Sequence, residues 1–160
     1  AGDFLYDDAE FAVLLADAAA LRRAGADGFV LGFLTADGAV DRARLRWLRE
    51  AVGALPVTFH RAFDLCRDAR QGIEDLVALG VERVLSSGQA ANAELGVDGL
   101  RSMVQAAGGR LSVMAGGGVR AANVRRIVAA SGVGEVHLSA AVQRDGGMRF
   151  RRGGIPMGVV

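Results

Sequence analysis

Length, composition and charge restrict the class of this 160-residue chain before any motif is considered. The chain is long enough for one domain with a sizeable core, and its 51% hydrophobic and 23% charged residues are ordinary for a soluble globular protein. With 19 basic and 18 acidic residues the net charge is +1, so neither a nucleic-acid-binding stripe nor an acidic disordered tail is indicated.

Three further compositional features narrow the setting. Cys66 is the single cysteine, which excludes an intramolecular disulfide and favours a reducing compartment. No apolar run reaches the roughly 18 residues of a membrane span, and the N-terminus carries aspartates instead of a basic signal-peptide start. We therefore expect a cytoplasmic protein with no membrane or nucleic-acid partner. All basic residues are arginine, so this stretch cannot supply a Schiff-base lysine.

The first predicted helix starts at Asp7, where Glu10 three residues later completes a capping-box pattern. Apolar residues at helical spacing follow, from Phe11 to Leu21, and Gly25 is the predicted stop. The run "GFVLGFL" comes next and has the length of a strand.

The same order of cap, amphipathic helix, glycine and short apolar strand recurs along the chain. Asp41 and Asp68 are predicted to start the second and third helices, and the fifth is predicted to start near Ala121. The later strands are predicted at "PVTFH", "RVLSS", "RLSVMA" and "EVHLS". The predicted stop glycines are Gly25, Gly53, Gly80, Gly108 and Gly132, separated by 28, 27, 28 and 24 residues.

This repeat predicts an α/β fold in which parallel strands are joined by right-handed crossovers and buried on both faces. A complete (β/α)₈ barrel needs about 250 residues, whereas an open flavodoxin-like sheet would fit five strands. The chain begins within a loop-like segment and ends in "GGIPMGVV", without a final helix. We therefore expect residues 1–160 to form a single, incomplete barrel domain that lacks the first three strands and the last helix.

Polar residues and glycines gather where the predicted strands end, and in parallel α/β proteins these ends build the site. We call the loops that follow the strand ends the mouth. Strand alternation turns His60 and His137 towards the barrel interior, with Val136 and Leu138 against the helices. Histidine suits proton transfer near neutral pH. The candidate catalytic residues are His60, Arg61, Asp64 and His137.

A second group of residues suggests anion binding, and a pair suggests a metal. The glycine loop between a strand and a helix is able to present backbone N–H groups to an anion, although a tight turn would look similar. The candidate anion-binding residues are Gly116, Gly117, Gly118, Arg120 and Ser139. His60 and Cys66 are a conceivable soft-metal pair, but their spacing matches no established ligand motif.

The segments "GDFLYDDAEF", "TFHRAFD", "RVLSSGQA", "MAGGGVR" and "EVHLSA" together resemble the CutC copper-homeostasis family, and "GMRFR" is similar to a later segment of it. The resemblance runs from Gly2 to about Arg151. It implies a (β/α)₈ barrel, usually oligomeric and cytoplasmic, with a role in copper homeostasis and an expectation of copper binding. It also implies that this chain carries the last five strands.

Three functions remain open at this point. The first is copper handling, with copper as the expected ion. The second is a barrel enzyme acting on a small phosphorylated or carboxylated metabolite, with His60 or His137 as acid or base and Arg61 or Arg120 holding the anion. The third is a non-catalytic scaffold. An incomplete barrel exposes sheet edges, so we also expect a homo-oligomer.

Overall fold

The computed structural model of the chain describes residues 2–140, 147–150 and 152. The helices are α1 (Asp8–Arg23), α2 (Arg42–Val52), α3 (Ala69–Ala78), α4 (Val97–Ala107) and α5 (Val124–Ser131), with a 3₁₀ helix, η1 (Arg61–Leu65), after the second strand. The strands are β1 (Phe29–Leu31), β2 (Val57–Phe59), β3 (Arg83–Ser86), β4 (Ser112–Ala115) and β5 (Glu135–Val136).

The five strands are parallel and lie side by side in chain order, β1-β2-β3-β4-β5. Each strand is paired with the next, for example Leu31 with Phe59 and Ala115 with Val136. A doubly wound sheet would reverse its strand order partway, so this order is that of a barrel wall. The prediction of five parallel strands in a barrel-type α/β fold is confirmed. Within the described residues the sheet does not close.

The predicted helix starts and stops are largely confirmed, because local capping chemistry sets them. Asp7 forms a complete capping box with Glu10, and Asp41 and Asp68 cap α2 and α3 through their side chains. The five predicted stop glycines all have positive φ, between 55° and 91°. Glycine adopts this backbone region without steric cost, which explains its place at each helix end.

The fifth helix begins at Val124, three residues later than predicted. The Arg120 N–H group donates to the Asn123 side-chain oxygen at 2.8 Å, and the N–H groups of Asn123 and Val124 donate to the Arg120 carbonyl. This asparagine-stabilised turn satisfies the backbone groups that an earlier helix start would have used.

The prediction that both sheet faces are buried is wrong. One face packs on the helices, and its side chains, such as Val57, Phe59 and Val84, are fully buried. The opposite face, which we call the barrel-side face, is partly exposed, and its β1 residue Val30 is 68% exposed. Over the described part of the chain, no layer covers this face.

The barrel-side face is polar near the start of the strands. Arg83 donates two hydrogen bonds to the Glu135 carboxylate, at 2.5 and 3.1 Å, and Ser112 donates a third at 2.6 Å. These bonds lower the pKa of the Glu135 carboxyl, and the bonds from Arg83 lower it more than the bond from Ser112 does. The pair joins β3 to β5 across β4 and places charge on the barrel-side face.

Two further expectations concern the end of the chain and membranes. The expected absence of a closing helix concerns residues 153–160, which lie outside the described residues. In the described stretches, no helix has both the length and the apolar character that crossing a membrane requires.

Candidate functional site

His60 lies at the carboxyl end of β2 and caps η1. Its Nδ1 accepts the Ala62 N–H at 3.1 Å, so the proton of the neutral ring is on Nε2. The ring packs 4.9 Å from that of Phe4 and beside Gly32, where a Cβ would lie 2.6 Å from ring atoms. Glycine is therefore required at position 32 for the imidazole to occupy this place.

The capping bond limits the chemistry of His60. Burial lowers the pKa of the imidazole, which stays neutral to a lower pH than an exposed histidine. A neutral imidazole has a single acceptor nitrogen, and Ala62 already uses it. Proton abstraction or metal ligation by His60 would therefore require the η1 cap to open.

We expect the stability of the protein to fall as the pH drops below about 6.5, the usual imidazole pKa. The pKa of His60 is lower in the folded protein than in the unfolded chain. At pH values between these two pKa values, the unfolded chain therefore binds a proton that the folded protein does not. The contribution of neutral His60 to the free energy of unfolding is complete above about pH 6.5. Below that pH it falls by at most about 1.4 kcal/mol per pH unit. Urea denaturation of the wild type and His60→Gln across this range measures it. Equal slopes in the two proteins would contradict the assignment.

The Asp64 carboxylate is the centre of a hydrogen-bond network that joins η1 to the end of β3. It accepts hydrogen bonds from Arg61 Nε at 2.7 Å, from the Ser87 N–H at 2.9 Å and from the Ser86 hydroxyl at 2.5 Å. The Gln89 N–H adds another at 3.2 Å. The Ser87 hydroxyl, with one hydrogen to donate, lies 2.9 Å from the carboxylate and 2.6 Å from the Ala90 carbonyl. Since the carboxylate is 9% exposed and amply hydrogen-bonded, its geometry suits positioning better than proton transfer.

Arg61 is brought to the β4 loop by the same network. Its Nη2 donates to the Ser87 hydroxyl at 2.8 Å while Nε donates to Asp64. The guanidinium lies against Gly117, where a Cβ would come within 3.1 Å of Cζ and Nη1. The structure therefore places two predicted site residues, Arg61 and Gly117, in contact across two loops.

The three glycines of the β4 loop differ in whether their N–H groups are already hydrogen-bonded. Gly116 is buried, and its N–H donates to the Ser86 carbonyl, so this glycine belongs to the sheet. Gly117 and Gly118 have φ values of 91° and 73°, and within the described residues their N–H groups have no hydrogen-bond acceptor. As far as the described residues show, the second and third glycines keep N–H groups that a ligand could accept, and the first does not.

The remaining predicted residues lie on exposed parts of the mouth. His137 follows β5, donates its N–H to the Ala115 carbonyl, and has its Cβ 3.4 Å from a Cβ built at Gly116. The prediction that Leu138 packs on the helices is wrong, because β5 ends at Val136 and Leu138 is 46% exposed. Arg120 and Ser139 are exposed.

Cys66 is the C-cap of η1, and its thiol faces α3. It is 5% exposed, its Sγ donates to the Asp68 carbonyl at 3.5 Å, and it lies beside Gly72 at the start of α3. Burial raises the pKa of the thiol, whereas a metal ligand must be a thiolate. His60 contacts Phe4 and Gly32 instead, so the predicted metal pair is not brought together.

Ser86, Ser87 and Gln89 belong to the predicted strand end "RVLSSGQA", but no catalytic, anion-binding or metal role was predicted for them. The two serines are fully buried where β3 ends. Buried hydroxyls require partners, so the "SS" pair in "RVLSSGQA" was the signal that could have identified them. Gln89 has φ 57° and donates to the Cys66 carbonyl through its amide, which the sequence does not indicate.

Comparison with known proteins places this arrangement in a family. The CutC family model matches residues 1–142. The sequence is 52% identical over 157 residues to a CutC family protein from Chromobacterium violaceum, covering 98% of this chain and 64% of that protein. It is 45% identical over 157 residues to the human "Copper homeostasis protein cutC homolog", covering 98% of this chain and 58% of the human one.

A solved structure agrees with these sequence matches. The crystal structure of CutC from Streptococcus agalactiae superimposes with a TM-score of 0.80 at 33% identity, covering 84% of this chain and 66% of that one. The chain spans somewhat less than two thirds of the length of the curated relatives it matches. With a family model matched over residues 1–142 and this agreement in fold, the chain belongs to the CutC family.

Proposed function

We propose that this protein takes part in copper homeostasis. The observation that supports the proposal is the human relative named for copper homeostasis, which is 45% identical over nearly the whole of this chain. The chain spans 58% of that relative, so the relative's role is a proposal for this chain. We extend the proposal to a cytoplasmic location, in keeping with a buried free thiol at Cys66.

The described residues do not fit a copper centre. Among them no group of three or more His, Cys, Asp or Glu side chains is placed to hold a metal ion. Ligation by His60 would open the η1 cap, and ligation by Cys66 would require a buried thiol to ionise. The proposed role therefore does not depend on a copper ion resident at this pair.

A calorimetric titration with Cu(I) tests direct binding through the pair. We expect the wild type, His60→Ala and Cys66→Ser to give the same heats, because the two residues cap opposite ends of η1 and contact different glycines, Gly32 and Gly72. Stoichiometric binding by the wild type that both substitutions abolish would contradict this expectation and establish a two-residue copper site.

A second candidate function is the binding, and chemical conversion, of a small anionic metabolite at the mouth. The observation that favours it is the contact between the Arg61 guanidinium and Gly117, whose N–H group has no acceptor among the described residues. Phosphorylated and carboxylated metabolites are the two classes that such donors recognise. In this proposal Arg61 holds the anion, Asp64 positions Arg61, and His137 is the exposed imidazole next to the glycine loop.

A homo-oligomer is the third part of the proposal. Val30 on β1 and Leu21 on α1 are 68% and 54% exposed, and both lie on the β1 side of the sheet. Strand edges with exposed apolar neighbours favour pairing with another chain. These residues support self-association through the β1 side.

A further inference from the structure

The Arg61 guanidinium is held on one side and free on the other. Nε donates to Asp64 at 2.7 Å and Nη2 to the Ser87 hydroxyl at 2.8 Å, which fixes the plane of the group. Within the described residues Nη1 has no acceptor, and the side chain is 42% exposed. A planar donor with a fixed orientation loses little side-chain entropy when a ligand binds to its free edge.

The backbone beside this free edge is also fixed. The Gly117 carbonyl accepts the Ala93 N–H at 2.8 Å, and the Gly118 carbonyl accepts an Asn123 side-chain N–H at 3.0 Å. Both carbonyls thus already accept a hydrogen bond, while the N–H groups of the same two glycines remain without acceptors in the described part of the chain. Successive free N–H groups in a tight glycine turn are typical of an anion-binding concavity.

The net charge of the Arg61–Asp64 pair determines which class of anion binds best beside it. Asp64 is 9% exposed and pairs directly with Arg61, so together the two groups carry no net charge. The attraction for a ligand then comes from hydrogen-bond donors and backbone dipoles, with little excess positive charge. A dianion would lose more hydration energy on entry than such a site returns, whereas a carboxylate brings one charge and two acceptor oxygens.

We propose that the mouth binds a small monocarboxylate, whose oxygens accept from Arg61 Nη1 and from the N–H groups of Gly117 and Gly118. This inference rests on the second proposed function, an anionic metabolite at the mouth, and names the class of that metabolite. Asp64 acts here as a positioning residue that holds the guanidinium against the glycine loop.

The test compares acetate with inorganic phosphate in calorimetric titrations of the full chain at about pH 8, where phosphate is a dianion. We expect saturable acetate binding at least about tenfold tighter than phosphate binding, and a loss of about tenfold or more in Arg61→Gln. Arg46→Gln is the matched control, because Arg46 is an exposed arginine on α2 and its replacement removes the same charge.

Arg61→Gln also loses the hydrogen bonds to Asp64 and Ser87, which could itself weaken binding. A second measurement therefore uses the wild type alone. The melting temperature of the wild type should rise with acetate and not with chloride at equal ionic strength, since only a ligand of the folded state stabilises it specifically. Acetate binding that Arg61→Gln leaves intact would overturn the proposed location.

The remaining outcomes separate the inference from the function on which it rests. Phosphate binding tighter than acetate binding, and dependent on Arg61, would overturn the carboxylate class and leave an anionic metabolite at the mouth. Absence of binding by both anions would overturn this inference and the second proposed function together.

Discussion

Replacing Asp64 by Asn should lower the free energy of unfolding by about 2–4 kcal/mol. The carboxylate accepts hydrogen bonds from the Ser87 N–H, from the Ser86 hydroxyl and from Arg61, and an amide would place its own N–H group against some of these donors. Both serines are fully buried, so water does not replace the lost bonds. Urea denaturation followed by circular dichroism measures the change.

Asp98→Asn supplies the control for this substitution. Asp98 also pairs with an arginine three residues away, Arg101, but its side chain is 92% exposed. An exposed ion pair of this kind contributes little to stability, so we expect only a small change. If Asp64→Asn were as stable as Asp98→Asn, the network around Asp64 would not organise the mouth.

Gly96→Ala should destabilise the protein by roughly 3 kcal/mol through steric overlap. The backbone of Gly96 has φ −94°, which any residue adopts, so conformational strain is not the cause. A Cβ at this position would overlap the Ser87 carbonyl oxygen, and the Cα of Gly88 would be 3.0 Å away. Because these contacts are backbone atoms of the loop after β3, the loop itself would have to move.

Gly134→Ala separates this overlap from the general effect of adding a methyl group. A Cβ at Gly134 meets no atom within 4 Å, so the change alters the unfolded chain without crowding the folded one. The difference between the two midpoints in thermal denaturation should therefore report the steric cost. Equal midpoints would show that the loop after β3 is not packed as closely as the structure places it.

Helix and strand positions were predictable because local signals determine them. An aspartate at Asp7, Asp41 or Asp68 satisfies the free N–H groups of a helix start, whatever the rest of the chain does. The barrel-type order of the strands followed from a repeat of about 27 residues with no change in pattern. These features depend on neighbours within a few residues, so one sequence is enough to identify them.

The connections within the mouth were less predictable because their partners are distant in sequence. Asp64 pairs with serines 22 and 23 residues later, and Arg61 meets Gly117 on a third loop. The position of strand ends indicated that these residues share one edge of the sheet, but not which of them touch. The same limit applies to the Cys66 thiol, which the register of η1 turns towards α3 and away from His60.

The most direct test of the account is the response of the Gly117 and Gly118 amide resonances to acetate in two-dimensional ¹H–¹⁵N NMR of the wild type. We predict saturable shifts of these two resonances, because within the described residues neither N–H group has an acceptor and Gly117 lies against the Arg61 guanidinium. Phosphate at equal ionic strength should shift them less. Saturating shifts confined to other parts of the chain, with Gly117 and Gly118 unchanged, would contradict it.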